Sequence, residues 1–213
     1  EGPETIVVTL TDIVAGASIS LGTNTTFTIT VNDNAGLPFI NFTSTASSGL
    51  EDQAAILTVQ LSRISAQDVT FQWSTDASNT TAQNNETVLG GNTFPADYTN
   101  APIVPPATIT IPANQLTATI DLGIQNDNLH EPTEMIEAGF TGSITNAQVG
   151  TNSYHLYTIL DNDTPTIQFA SAEASGDESA TSHNFTVTLS NPSYLDSEVG
   201  VQTNGLSTAL DGD

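Results

Sequence analysis

The chain has 213 residues, 24 of them Asp or Glu against the single basic side chain Arg63, and carries a formal charge of −23. Such a surface excludes the phosphate-tracking contacts of nucleic-acid binding and any attraction to an anionic membrane, and its self-repulsion calls for salt or bound cations. With no cysteine there are no disulfides, thiolate zinc sites or cysteine nucleophiles, and no run of about 18 apolar residues is present for direct membrane insertion.

Taken in chain order, residues 1–34 carry Glu1 and Glu4 at their start and Thr30, Asp33 and Asn34 at their end. After NAGLP (34–38), alternating Thr-, Val- and Ile-rich runs predict seven strands, near 39–45, 54–62, 67–74, 107–111, 116–125, 134–144 and 153–161. Within 54–62, Leu57, Val59 and Leu61 alternate with Ile56, Thr58 and Gln60, the pattern of a strand with one buried face. Trp73 on the third strand is expected in the core. Residues 76–106 lack periodicity, and so long an irregular segment in a compact domain is either functional or flexible. A shorter counterpart between Phe169 and Asp213 marks it as an insertion into a working scaffold. Helix signals are nearly absent. The expected fold is all-β: tandem immunoglobulin-like, seven-stranded antiparallel β-sandwiches.

The chain repeats itself. Gly22, Thr23 and Asn24 recur as Gly150, Thr151 and Asn152, and Thr30, Asp33 and Asn34 as Thr158, Asp161 and Asn162, all 128 positions on. Glu1 and Glu4 fall on Glu131 and Glu134. Pro38, Ile40, Phe42, Val59, Leu61 and Ser62 return as Pro165, Ile167, Phe169, Val187, Leu189 and Ser190. The expected division is therefore the C-terminal part of one repeat (1–34), one complete repeat (38–163), and the N-terminal part of a third (165–213). The chain is expected to be an excerpt of something longer. Linkers of a few residues, each with a proline, are too short for a flexible tether and predict sandwiches stacked end to end.

Seven acids of the complete repeat sit at strand ends. Glu51 follows a Ser-Ser-Gly turn, and Asp97 lies in ADYT. Asp127, Glu131 and Glu134 lie in NDNLHEPTE, and Asp161 and Asp163 close ILDND. In an up-and-down count, these four connections share one pole of the sandwich. Carboxylates crowded there without Lys or Arg stay ionised only at high cost unless a cation joins them. Oxygen-only ligands define a hard-cation site, and six to eight flexible oxygens suit Ca²⁺ better than Mg²⁺.

This order of motifs resembles the Calx-β family, the calcium-binding sandwich repeats of sodium–calcium exchangers and of large bacterial surface proteins. The carriers are Glu51, Asp97-Tyr98, the NDN-x-x-E-x-x-E segment and the closing ILDND. The resemblance implies a Calx-β-type sandwich in which Glu51, Asp97, Asp127, Glu131, Glu134, Asp161 and Asp163 ligate Ca²⁺ at the pole facing the next repeat. Glu1, Glu4 and Asp33 would serve the first repeat, and Glu178 (or Asp177) with Asp213 the third. Asn128 and Asn162 stand where acids are frequent in calcium-sensing members, and Ala35 replaces the acid that Asp163 supplies. Weaker binding follows, with dissociation constants near the ~10⁻⁴–10⁻³ M of extracellular modules, and unequal binding at the two junctions.

The setting implied is a secreted bacterial cell-surface protein, an adhesin-like stalk or filament stiffened by Ca²⁺, with neighbouring repeats, surface glycans or host and substratum proteins as partners. Two alternatives are a glycan- or protein-binding module that presents Phe94 and Tyr98 from 76–106, and a calcium-sensing regulatory domain. His130, His155 and His183 form no catalytic constellation, and no phosphate-cradling loop or nucleophile elbow is present, so the chain is not expected to be an enzyme.

Overall fold

The computed structural model describes residues 3–14, 18–32, 36–76, 78–84, 87–89, 92–99, 106–177, 179–180 and 182–203. The described residues contain strands and no helix. They are β1 (Glu4–Thr9), β2 (Thr26–Val31), β3 (Phe39–Phe42), β4 (Ala46–Leu50), β5 (Ile56–Leu61), β6 (Val69–Thr75), β7 (Thr87–Leu89) and β8 (Asn92–Phe94). They continue with β9 (Ala107–Ile111), β10 (Thr117–Asp121), β11 (Glu134–Thr145), β12 (Gln148–Val149), β13 (Tyr154–Leu160), β14 (Ile167–Phe169) and β15 (Val187–Leu189).

Two sheets make the central sandwich. One has the order β10-β5-β3-β12 and the other β4-β13-β11-β6-β9. Their inner faces follow from strict alternation: Leu57, Val59 and Leu61 on β5, Val69, Phe71 and Trp73 on β6, and Tyr157 and Ile159 on β13 are all buried. Phe140 of β11 joins the layers. Its ring stacks on Phe42 at 4.7 Å and meets Phe71 edge-on at 5.4 Å, two arrangements the ring quadrupole favours. His155, also buried, fills the same layer beside Phe42. Its Nδ1 lies 2.7 Å from the Ser44 carbonyl, which can only accept, so Nδ1 carries the proton and Nε2 accepts from the Ser47 hydroxyl.

One expected turn is a strand instead. The Ser-Ser-Gly of residues 47–49 belongs to β4, which leaves the sheet of β3 and runs parallel beside β13, pairing Leu156 with Ala46 through Leu160 with Leu50. Side chains this small carry almost no hydrophobic signal, yet smallness is what the position needs. The Tyr157 hydroxyl occupies the space a Cβ on Gly49 would take. A second parallel pair joins β12 to β3, and every other pairing among the described strands is antiparallel.

The registers fix the two poles. Asp121 pairs with Ile56, Glu134 with Ile159, and Trp73 with Ala107, so the connections 51–55, 76–106 and 122–133 and the exit at 161–163 share one end. The chain enters at 36–38 at the opposite end, where Arg63 donates to the Gly36 carbonyl and Phe39 N–H to Ser62 Oγ. The same clasp recurs after the sandwich. Thr166 N–H donates to Ser190 Oγ, and Asn191, 128 positions beyond Arg63, donates to the Asp163 carbonyl at 2.6 Å.

Truncating Phe42, which is 1% exposed, removes one side of the Phe42–Phe140 stack. Phe42→Ala is expected to cost about 3–5 kcal/mol in equilibrium denaturation. A loss below about 1 kcal/mol would show that the two sheets do not depend on this layer.

Candidate metal centre

The acids reach the shared pole because each is fixed by its backbone. Asp97 is held in a short bridge: its N–H donates to Gln83 O at 2.8 Å and its carbonyl accepts from Gln125 N–H at 2.9 Å, while buried Tyr98 beside it pairs with Ile124. Its carboxylate accepts from Gln83 N–H at 2.5 Å. Asp127 turns the 122–133 connection by accepting from Leu129 N–H at 2.6 Å, an Asx-turn. Glu51, 6% exposed, continues the β4–β13 ladder through its N–H to Leu160 O, and its side chain accepts from Asn162 N–H at 3.3 Å. Asp161 contacts His130 Nδ1 at 2.5 Å.

Two groups result. Glu51, Asp161 and Asp163 each place a carboxylate oxygen within 4.8 Å of the others. Glu134 is hydrogen-bonded to Asp97, and Glu131 feels the negative charge of both clusters, Asp97 and Asp127 first, then Glu51 and Asp161. Asp127 lies between them, raised by burial and by Asp163, Asp97 and Asp161 against the opposing Leu129 N–H. Burial is likewise the largest effect on the glutamates. It pushes Glu131 up to about 8 and Glu134 to about 9, with neighbouring acids adding to both. Glu51 rises to about 7 through burial, a hydrogen bond with Asp163, and the charges of Asp127 and Asp161, partly offset by Asn162 N–H.

The magnitude decides what such a site needs. Two like charges about 4 Å apart repel by roughly 4 kcal/mol at an effective dielectric constant near 20. Several such pairs cannot all be ionised, so the centre takes up either protons or a cation. The donor set fits a hard cation. Asp163 Oδ2 is buried and accepts from no N–H or hydroxyl donor, and the single Arg of a chain without Lys, Arg63, lies at the other pole. Glu51, Asp161 and Asp163 would hold an ion, and Asp127, Asp97, Glu131 and Glu134 surround it with further negative charge. An ion there would supply positive charge and an oxygen-coordinating centre.

All seven acids expected from the complete repeat thus meet at one pole. Glu4 opens β1 and pairs with Val31 as Glu134 pairs with Ile159. Its expected companions Glu1 and Asp33 lie outside the described residues, as do Glu178 and Asp213. The contact between His130 and Asp161 escaped sequence reasoning, because residues 31 positions apart carry no periodic signal. His130 also joins the pole to the following segment: its N–H donates to Pro192 O, and Tyr194 N–H donates to its carbonyl at 2.8 Å.

No protein-family model matches the chain, and no curated protein matches it by sequence. Among solved structures it is similar to CBD12 from CALX1.2, with a TM-score of 0.45 and 13% identity over 59% of this chain and 44% of that one. It is also similar to the apo-form Calx CBD1 domain (0.45 and 11%, over 60% and 99%) and to the Calx CBD2 domain (0.44 and 12%, over 61% and 91%). The chain spans less than half the length of the CALX1.2 structure. The all-β sandwich itself rests on the strands and registers described above.

The raised carboxyls set a pH dependence. Their folded values lie above the ordinary 4.5, so the folded state holds more protons than the unfolded chain between that value and about 7 to 9. The stability this contributes is complete below the ordinary value and is lost as pH climbs through 7 to 9. In chelator, the thermal midpoint is expected to fall from pH 5 to pH 9, and the slope to flatten in the Glu131→Gln, Glu134→Gln double variant. An unchanged slope in that variant would remove these two residues as its source.

Proposed function

We propose that residues 38–163 form a Ca²⁺-binding Calx-β-type module within a tandem array, and that the array serves as a stiffened stalk or filament of a secreted bacterial surface protein. The observation that carries the cation assignment is the buried Asp163 Oδ2, which accepts from no N–H or hydroxyl donor, within the Glu51, Asp161 and Asp163 cluster. Calcium suits a site built from carboxylates on four separate connections, because it tolerates flexible, high-coordination oxygen shells.

The stalk reading draws support from the place of that site. The pole that gathers the acids is the pole from which the chain leaves for the next segment. Asn191 and the 192–194 backbone already hydrogen-bond to Asp163 O and to His130 there. A cation drawing 127–131 and 161–163 together stiffens both anchors of that contact. Residues 1–34 and 165–213 are then parts of the flanking repeats. Attachment to surface glycans or to host or substratum proteins is the role we assign to the whole array, on the strength of the family resemblance.

Calorimetric titration is expected to show binding at about 10⁻⁴–10⁻³ M. Saturating calcium should raise the thermal midpoint and narrow the distribution of shapes in small-angle scattering, because an ion that binds only the folded state stabilises it by mass action. Asp127→Asn, which removes a charge that Asp163, Asp97 and Asp161 all feel, should weaken binding at least tenfold. Identical melting and scattering in chelator and in millimolar calcium would end the proposal.

A further inference from the structure

The segment that follows the sandwich repeats the hydrogen bonds of the segment that opens it. Thr166 N–H donates to Ser190 Oγ and Ser190 N–H to Thr166 O, as Phe39 N–H donates to Ser62 Oγ and Ser62 N–H to Phe39 O. Three residues on, Ser193 Oγ donates to Leu195 O and accepts from Leu195 N–H, as Ser65 Oγ does with Gln67. Residues 62–67 and 190–195 are therefore the same turn, 128 positions apart, and Asn191 occupies the place of Arg63.

That place lies beside the metal centre of 38–163. Asn191 is half-buried, and its carboxamide nitrogen donates to Asp163 O at 2.6 Å and to Asn128 O at 3.4 Å. The Ser190 hydroxyl holds the carboxamide oxygen at 2.7 Å, which leaves the nitrogen to the two carbonyls. One carbonyl belongs to a member of the Glu51, Asp161 and Asp163 cluster, and the other adjoins Asp127. A single side chain of the following segment thus joins two acid-bearing connections of the sandwich. A carboxamide brings donors but no charge, so the carboxylates keep their need for a cation.

At the preceding junction the same position carries the only Arg of the chain. The sequence there reads Asp33-Asn34-Ala35, where the sandwich closes on Asp161-Asn162-Asp163. Ala35 in place of Asp163 removes one negative charge, and Arg63 in place of Asn191 adds one positive charge. Together the two exchanges amount to the charge of one divalent cation. Arg63 donates to a linker carbonyl, Gly36 O, as Asn191 donates to Asp163 O. A guanidinium reaches farther than a carboxamide and does not deprotonate.

We propose that this position, supplied by the following repeat, sets the cation demand of the acidic pole before it. Asn191 is a positioning residue: it joins the two connections and leaves the charge to a bound ion. An Arg at that place is itself the counter-charge. The role of Asn191 rests on the calcium reading of the centre, whereas the role of Arg needs no metal.

Asn191→Arg in the whole chain, compared with Asn191→Met at one pH and ionic strength, tests this. Met supplies a long stem without the charge or the donors, and so isolates the effect of the guanidinium. In chelator, the thermal midpoint of Asn191→Arg is expected to exceed those of wild type and Asn191→Met by at least about 2 °C. Its calcium affinity in calorimetric titration is expected to fall at least about tenfold, because affinity in an oxygen site follows its charge. The rise in midpoint on adding calcium should shrink accordingly. Position 191 lies outside the sandwich, so the near-ultraviolet signal of Trp73 should not move. A chelator midpoint for Asn191→Arg no higher than that of Asn191→Met would overturn the proposal, as would undiminished calcium binding in that variant. A wild-type chain that binds no calcium would end the calcium reading, and the chelator comparison would still decide the role of Arg.

Discussion

The structure turns on an electrostatic constraint: seven carboxylates are brought to one pole with no Arg or Lys to meet them and only His130 in contact with one of them. Packing produces the convergence, because the registers of β5, β10, β11 and β13 place four connections at the same end. The hydrophobic layer around Phe42, Phe71 and Phe140 holds those registers, so the core maintains a charge cluster that would otherwise disperse. Repulsion at the pole is the standing cost of that geometry. Protons and cations are alternative ways of meeting it, and they compete for the same oxygens.

Much of this was legible in the sequence, for physical reasons. Period-two alternation marks strands with one wet and one buried face, and the seven expected strands all fall on observed ones. The sharing of one pole by the acid-bearing connections follows from strand count alone. What escaped notice lacks an apolar signal. β4 is Ala-Ser-Ser-Gly-Leu and is recruited by the edge of β13 and the Tyr157 hydroxyl rather than by burial of its own side chains. The β7–β8 hairpin lies within a stretch that reads as irregular. Contacts such as His130 with Asp161 depend on how two loops meet in space, which spacing along the chain does not encode.

The clasp at each end of the sandwich repeats with equal fidelity. Ser62 with Arg63, and Ser190 with Asn191, hold the chain where it enters a new set of strands, by the same hydrogen bonds to equivalent backbone atoms. Position rather than residue type is preserved: a guanidinium in one case and a carboxamide in the other reach a linker carbonyl. Orientation between successive segments is thereby built from backbone groups, which do not titrate, whereas the acids beside them do.

The solitary Arg63 has a consequence of another kind. Proteases that cut after Arg or Lys find a single such residue in the whole chain, and its half-buried side chain is committed to the Gly36 carbonyl. A chain with one Arg and no Lys is therefore close to invisible to trypsin-like enzymes. Its one such bond is Arg63–Ile64, and the side chain that a trypsin-like enzyme must bind is the one that donates to the linker carbonyl. Susceptibility at that bond is a direct gauge of how firmly the linker is held.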